Sequence, residues 1–173
     1  PPILDLARFC PNGMGNVTLV IEDNKIRVSK EYLAVHSPVF AAMFFGDFAE
    51  KGKEEIEIND VIYEEFIDLL YLVYPRTEDM TDRTVPQILK LADRFQMECL
   101  VKESERFLIN SKGIDVMKKL LLADQYRLEN LKDHCINSFT CMALLHEKLK
   151  TAAVFASLSD AMKIAICERM MWL

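Results

Sequence analysis

The fold of this chain is decided by residues 33–44, which read LAVHSPVFAAMF. A short helix over 30–36 is predicted to stop at Ser37 and Pro38, where a second helix begins, because Ser is a good N-cap and Pro fits the first helical turn. The second helix has one broad apolar face, formed by Val39, Phe40, Met43 and Phe44. Gly46 is predicted to end it, as Gly commonly does.

Short strands are predicted on both sides of these helices. Upstream, a β-branched run over 17–21, a polar turn over 22–24 and an alternating run over 25–29 have the pattern of a β-hairpin. Downstream, a charged loop over 47–54 leads to strict alternation of charged and apolar residues over 55–58, which is typical of a half-buried strand. Three short strands are therefore expected.

The remainder of the chain is predicted to be helical. After the third strand, apolar residues recur with the spacing of an amphipathic helix, namely Phe66, Leu69, Leu70 and Val73. Asn59 and Asp60 are predicted to cap that helix, and Thr84 with Gln87 has the spacing of a capping box for the next one. Further helices are predicted over 98–109, 115–125, 129–139, 147–155 and 159–171. Because the pattern becomes purely helical after 110–113, we expect an α+β unit followed by helical hairpins.

Composition limits the classes of function. The 173 residues are 51% hydrophobic and 28% charged, which is enough apolar material for a core in one domain with a small helical appendage. The net charge of −6 disfavours direct binding to nucleic acid, because phosphates attract basic surfaces. No apolar run is long enough for a bilayer span, so no membrane contact is expected. The first residues do not resemble a signal peptide and lack an initiator Met, which predicts an intracellular protein, in cytoplasm or nucleus, and a fragment of a longer chain.

The five cysteines do not have the pattern of a disulfide framework. Their number is odd and none is part of a CxxC pair. They are Cys10, Cys99, Cys135, Cys141 and Cys167. Four of them lie in apolar helical contexts, so buried thiols in a reducing compartment are expected.

No catalytic, metal or cofactor site is predicted. His36, His134 and His146 are scattered and match no metal spacing. The run Glu54, Glu55 and Glu57 has the pattern of a solvated strand edge. Motifs of zinc peptidases, serine hydrolases and phosphate-binding loops are missing from the sequence. An enzyme is therefore the least favoured class.

The motifs taken together resemble the BTB/POZ domain. The stretches that carry the resemblance, in order, are NVTLV at 16–20, IRVSK at 26–30, LAVHSPVFAAMF at 33–44, EINDV at 57–61, FIDLLYLVY at 66–74 and LADRF at 91–95. Several motifs in register are a far more specific signal than one short pattern. Adaptors that carry a MATH domain beside the BTB domain look most similar, although no stretch of this chain resembles a MATH domain.

The resemblance implies a domain organisation. It predicts an N-terminal segment over 1–15, a BTB/POZ domain over 16–112 with a three-stranded sheet and about five helices, and a helical extension over 113–173. The extension is similar to the 3-box or partial BACK segment that follows many BTB domains.

The resemblance also implies a function, that of a substrate adaptor of a cullin-3 RING ubiquitin ligase. Cullin-binding members have a hydrophobic residue, any residue and Glu in the charged loop, and Phe48-Ala49-Glu50 fits that pattern. Phe48 would fill a pocket of cullin-3 and Glu50 would lie at its rim. The alternative is that Phe48 folds back onto its own domain. An unknown substrate protein would be bound by a domain outside this chain.

Three further residues would join the cullin surface by their position in the family pattern. They are Met43, Phe44 and Tyr74. Core packing is the alternative for the first two, and a helix-end position with the hydroxyl in water is the alternative for Tyr74.

The resemblance further implies a homodimer that pairs through the N-terminal segment and the first helix. The corresponding residues are Leu4, Leu6, Phe9, Tyr32 and Leu33. Many members have Asp where this chain has Asn16, and the segment is polar at 11–13, so helix contacts are favoured over strand exchange. A second function stays open, a dimeric BTB scaffold that recruits a transcriptional or cytoskeletal partner instead of a cullin.

Overall fold

The computed structural model describes residues 3–6, 16–46, 53–74, 79–139 and 152–172, without the side chains of 152–154. The strands are β1 (Leu4–Asp5), β2 (Asn16–Ile21), β3 (Asn24–Ser29) and β4 (Glu55–Glu57). The helices are α1 (Lys30–His36), α2 (Pro38–Phe45), α3 (Tyr63–Val73), α4 (Val85–Arg94), α5 (Glu98–Asn110), α6 (Val116–Tyr126), α7 (Glu129–Ser138), α8 (Ala152–Ser157) and α9 (Asp160–Met171). The predicted α+β class is confirmed.

The four strands form one sheet in the order β1-β3-β2-β4. β2 and β3 are the predicted hairpin, with antiparallel pairing from Asn16 opposite Ser29 to Ile21 opposite Asn24. Glu22 and Asp23 form its turn with φ of 47° and 64°, since both central residues of a two-residue type I′ turn need positive φ. The parallel strand β1 was not predicted, because two residues are too few to show a period.

The break between the first two helices is confirmed. Ser37 is completely buried, and its Oγ accepts a hydrogen bond from the N–H of Phe40, 3.1 Å away. The same hydroxyl donates to the carbonyl oxygen of Phe95 at the end of α4. Ser37 therefore both starts α2 and fastens it to a distant helix.

An aromatic cluster fills the core beside α2. The rings of Phe40 and Phe95 stack with centroids 4.7 Å apart, and Phe66 meets Phe95 edge-on at 5.6 Å. Phe44 stacks on Phe40 at 5.5 Å. Stacked and edge-to-face pairs add to the stabilisation that burial of these rings provides.

Two of the predicted helix caps are wrong. α3 begins after Ile62, and the carboxylate of Glu22 in the hairpin turn accepts the N–H of Tyr63, 2.9 Å away. Asn59 and Asp60 instead have their carbonyl oxygens bound by the guanidinium of Arg94, at 2.7 Å each. Ile62 has no side-chain acceptor for the first N–H groups of α3. The hairpin turn places the carboxylate of Glu22 beside this helix end, so Glu22 caps the helix instead.

At the start of α4, the predicted capping box also fails. Thr84 makes no side-chain bond to that helix. Its Oγ1 accepts the N–H of Thr81, 3.1 Å away, so the hydroxyl is used within the preceding turn.

The chain divides into two compact units, residues 1–102 and 103–173. The division falls inside α5, ten residues before the boundary that the sequence pattern predicts. In the second unit, Asp115 and Ser159 cap α6 and α9 with their side chains. The helix predicted over 147–155 is described only as α8, since 140–151 lie outside the described residues.

The cysteine prediction is confirmed at one position and wrong at two. Cys135 is buried, and burial raises the pKa of its thiol to about 11. Cys99 and Cys167 are exposed, because α5 and α9 bury other faces. Cys10 and Cys141 lie outside the described residues.

The part of the chain that the structure describes contains no cluster of three His, Cys, Asp or Glu side chains suited to a metal ion. Among the same residues, no helix has the length and apolar character that crossing a membrane requires.

Candidate interaction surfaces

The end of α2 divides its aromatic residues between core and surface. Phe44 is buried against Phe40, so its side chain is not available as the contact residue that the sequence predicted. Met43 is half-buried. Phe45 is 53% exposed and meets Phe44 edge-on, with ring centroids 6.4 Å apart. A partly exposed aromatic ring therefore lies at the end of α2, directly before the charged loop.

Phe48 and Glu50 of the charged loop lie outside the described residues, so their contacts with a cullin stay predictions. Phe45 was missed by the sequence reasoning. The sequence does contain an indication of its exposure. Phe45 is apolar, yet its position on α2 falls beside the helix face that carries the buried residues Phe40 and Phe44.

Tyr74 is not a surface residue of this chain. Its side chain is 1% exposed, and its hydroxyl accepts the N–H of Ser29, 3.1 Å away. The alternative for Tyr74, a helix-end position with the hydroxyl in water, is therefore wrong. A direct contact of Tyr74 with a partner would require the ring to leave the core.

Tyr32 on α1 packs against Tyr74. The two rings stack with centroids 4.7 Å apart, and the hydroxyl of Tyr32 donates to the carbonyl oxygen of Val73, 2.9 Å away. On its other side Tyr32 meets the ring of His36, at 4.9 Å. The ring is half-buried, so only part of it can contact another molecule.

Two of the predicted dimer residues are in the core. Leu6 and Leu33 have no exposed surface, because Leu6 follows β1 into the sheet and Leu33 is on the inner side of α1. The N–H of Leu6 donates to the carbonyl oxygen of Arg27, 2.9 Å away. The prediction that these two residues lie at the surface is therefore wrong. Leu4 is half-buried, and Phe9 lies outside the described residues.

Other apolar side chains are exposed on these two segments. Val35 on α1 is 82% exposed and Ile3, directly before β1, is 56% exposed. Val35 also borders an open groove of about 530 Å³, whose walls include His36, Gln96 and Cys99. Val35 and the groove beside it are the candidate contact surface of α1.

The second unit exposes apolar residues on α9. Ile164 is 58% and Met171 77% exposed, and Trp172, which follows the helix, is 83% exposed. The inner face of α9 is held by the buried residues Met162 and Ile166.

Comparison with known proteins agrees with this architecture. Residues 8–112 match the family model described as the BTB/POZ domain. The chain is 40% identical over 156 residues to BTB and MATH domain-containing protein 38 of Caenorhabditis elegans, covering 90% of this chain and 40% of that protein. It is 39% identical over 122 residues to BTB and MATH domain-containing protein 36 of the same organism, covering 70% of this chain and 38% of that protein.

A third relative is BTB and MATH domain-containing protein 15 of Caenorhabditis elegans. The identity is 37% over 123 residues, covering 70% of this chain and 44% of that protein. The chain thus spans about two fifths of the length of each of these three relatives. The resemblance to MATH-BTB proteins is confirmed, and the chain belongs to the BTB/POZ domain family.

Proposed function

We propose that this chain is the BTB part of a dimeric substrate adaptor of a cullin-3 RING ubiquitin ligase. It would bind the cullin through one surface and a second copy through another, while a domain outside this chain selects the substrate. Membership of the BTB/POZ family supports a protein-interaction role, and the relatives carry a MATH domain in their names beside the BTB domain. In this proposal the chain holds the substrate-binding domain close to the ligase, and other subunits perform ubiquitin transfer.

The observation that carries the cullin part is the uncovered ring of Phe45. Three residues further on, Phe48-Ala49-Glu50 provides a second aromatic residue and a carboxylate in a charged stretch. Aromatic residues that enter a partner's pocket are often hot spots, each worth about 2 kcal/mol or more. The surface we propose consists of Phe45, Phe48 and Glu50, together with the half-buried Met43.

The self-association part is supported by the exposed side chains of Val35 and Ile3. Tyr32 and Leu4 are half-buried on the same two segments. In a two-fold dimer each exposed residue is used twice, once by each copy. Pairing would double the number of cullin and substrate sites in one particle and raise avidity.

Binding of the purified chain to the N-terminal region of cullin-3 tests the proposal. We expect Phe48→Ala with Glu50→Ala to abolish binding while the thermal unfolding midpoint is kept. The matched control is Lys53→Ala, which changes an exposed residue at the far end of the same loop and is expected to leave the affinity unchanged.

Equal affinity of the double variant and the unchanged chain would refute the cullin surface. No cullin binding by a dimeric chain would favour the scaffold function instead.

A further inference from the structure

The start of α1 donates two hydrogen bonds to the end of α3, one from a main-chain N–H and one from a side-chain hydroxyl. The N–H of Ser29 donates to the hydroxyl of Tyr74, and the hydroxyl of Tyr32 donates to the carbonyl oxygen of Val73. The residues are 45 and 41 positions apart in the sequence. The rings of the two tyrosines that take part in these bonds also stack on each other. Ser29, Tyr32, Val73 and Tyr74 together form the link between α1 and α3 that is called here the tyrosine pair.

The tyrosine pair acts on the first turn of α1. Ser29 is the N-cap, and its Oγ accepts the N–H of Tyr32, 3.3 Å away. An α-helix of seven residues is too short to be stable by itself, so its ends depend on tertiary contacts. Ser29 and Tyr74 are each 1% exposed, so water cannot readily replace a lost bond between them.

We infer that Tyr74 is a positioning residue for self-association. Its hydroxyl fixes the place where α1 begins, and thereby the direction in which Val35, six residues after Ser29, faces solvent. This inference rests on the proposed role of α1 as the self-association surface. Tyr74 itself is buried, so it cannot touch a second copy, and any effect on pairing is transmitted through α1.

The test compares Tyr74→Phe with a core variant of the same unit. Tyr74→Phe keeps the ring and removes only the hydroxyl, whereas Ile88→Val shortens a buried side chain on α4 and lowers stability while both tyrosines are kept. Sedimentation equilibrium at a temperature where both variants are folded gives the dimer dissociation constant. We expect about a tenfold weaker dimer for Tyr74→Phe, since the buried hydrogen bond from Ser29 is altered in each copy. Ile88→Val should pair as the unchanged chain does.

Hydrogen exchange of the α1 amides supplies a readout that does not depend on pairing. Tyr74→Phe is expected to speed exchange over 31–36, and Ile88→Val is not. Unchanged exchange there, or equal weakening of the dimer by both variants, overturns the inference. A chain that stays monomeric at every concentration refutes the proposed self-association instead, and faster α1 exchange in Tyr74→Phe would then still establish the positioning of α1.

Discussion

The carboxylate of Glu105 accepts the backbone N–H of Leu131, with Oε1 3.0 Å from the nitrogen. Its Oε2 accepts the side-chain amide of Asn130, also at 3.0 Å. α7 begins after Leu128, whose side chain cannot accept a hydrogen bond. A residue of α5, 26 positions earlier, thus supplies the cap that the local sequence does not.

Glu105→Ala is expected to lower the free energy of unfolding by about 1–2 kcal/mol, because one cap and one further hydrogen bond are lost. Urea unfolding followed by circular dichroism measures it. The matched control is Glu103→Ala on the same helix, whose only described ion pair is a solvent-exposed one with Arg106 at 3.7 Å. Exposed pairs contribute little, so this control should change stability by less than about 0.5 kcal/mol. Equal losses for both variants would contradict the capping role.

Val35→Asp is expected to dissociate the proposed dimer. It would remove an aliphatic contact and bury a charge in each copy, which together should raise the dimer dissociation constant about a hundredfold or more. Light scattering across a concentration series measures the change. Ile164→Asp, which alters an exposed residue of the second unit, is the control and should leave the dimer intact. A Val35→Asp dimer of normal affinity would exclude α1 from the interface.

Thiol labelling should distinguish the three described cysteines. Cys99 and Cys167 are exposed and should react in the native protein, whereas buried Cys135 should react only after unfolding. Cys99 lines the groove beside Val35, so its labelling should slow as the concentration rises and copies pair. Cys167 serves as the internal control with a constant rate. Peptide-resolved mass spectrometry gives each rate, and a concentration-independent rate at Cys99 would mean that pairing leaves the groove open.

Cys135 is expected to make stability fall at alkaline pH. Burial favours the neutral thiol and raises its folded-state pKa from 9.0 to about 11. The resulting stabilisation is complete below the unfolded pKa and is lost as the pH rises from 9.0 towards about 11. The urea midpoint should therefore drop less steeply over this interval in Cys135→Ala than in the unchanged chain. If the urea midpoint fell equally steeply with pH in the two proteins, Cys135 would not be the cause of the alkaline loss of stability.

Local signals predicted much of the fold. The restart at Ser37 and Pro38 depends on residues within a few positions of one another, and so do the helices predicted over 115–125 and 159–171. The hairpin likewise needs only its own turn and two adjacent runs. Such features are legible because the interacting groups share one stretch of sequence.

Long-range partners explain the misses. The cap of α3 comes from Glu22, 41 positions before Tyr63, and no local pattern predicts that pairing. Tyr74 looked accessible because it ends an amphipathic helix, but Ser29 and Tyr32 hold it in the core. The same limit applies to the candidate site. Sequence located the charged loop, whereas the structure was needed to place Phe44 inside and Phe45 outside.

The edge strand β4 has a consequence for the behaviour of the protein at high concentration. β4 is only three residues long, and its two glutamates flank a single buried Ile56. Short edge strands with charged side chains resist pairing with strands of neighbouring molecules into fibrillar aggregates. β4 therefore offers neighbouring molecules little backbone to pair with and opposes the addition of their strands to the sheet.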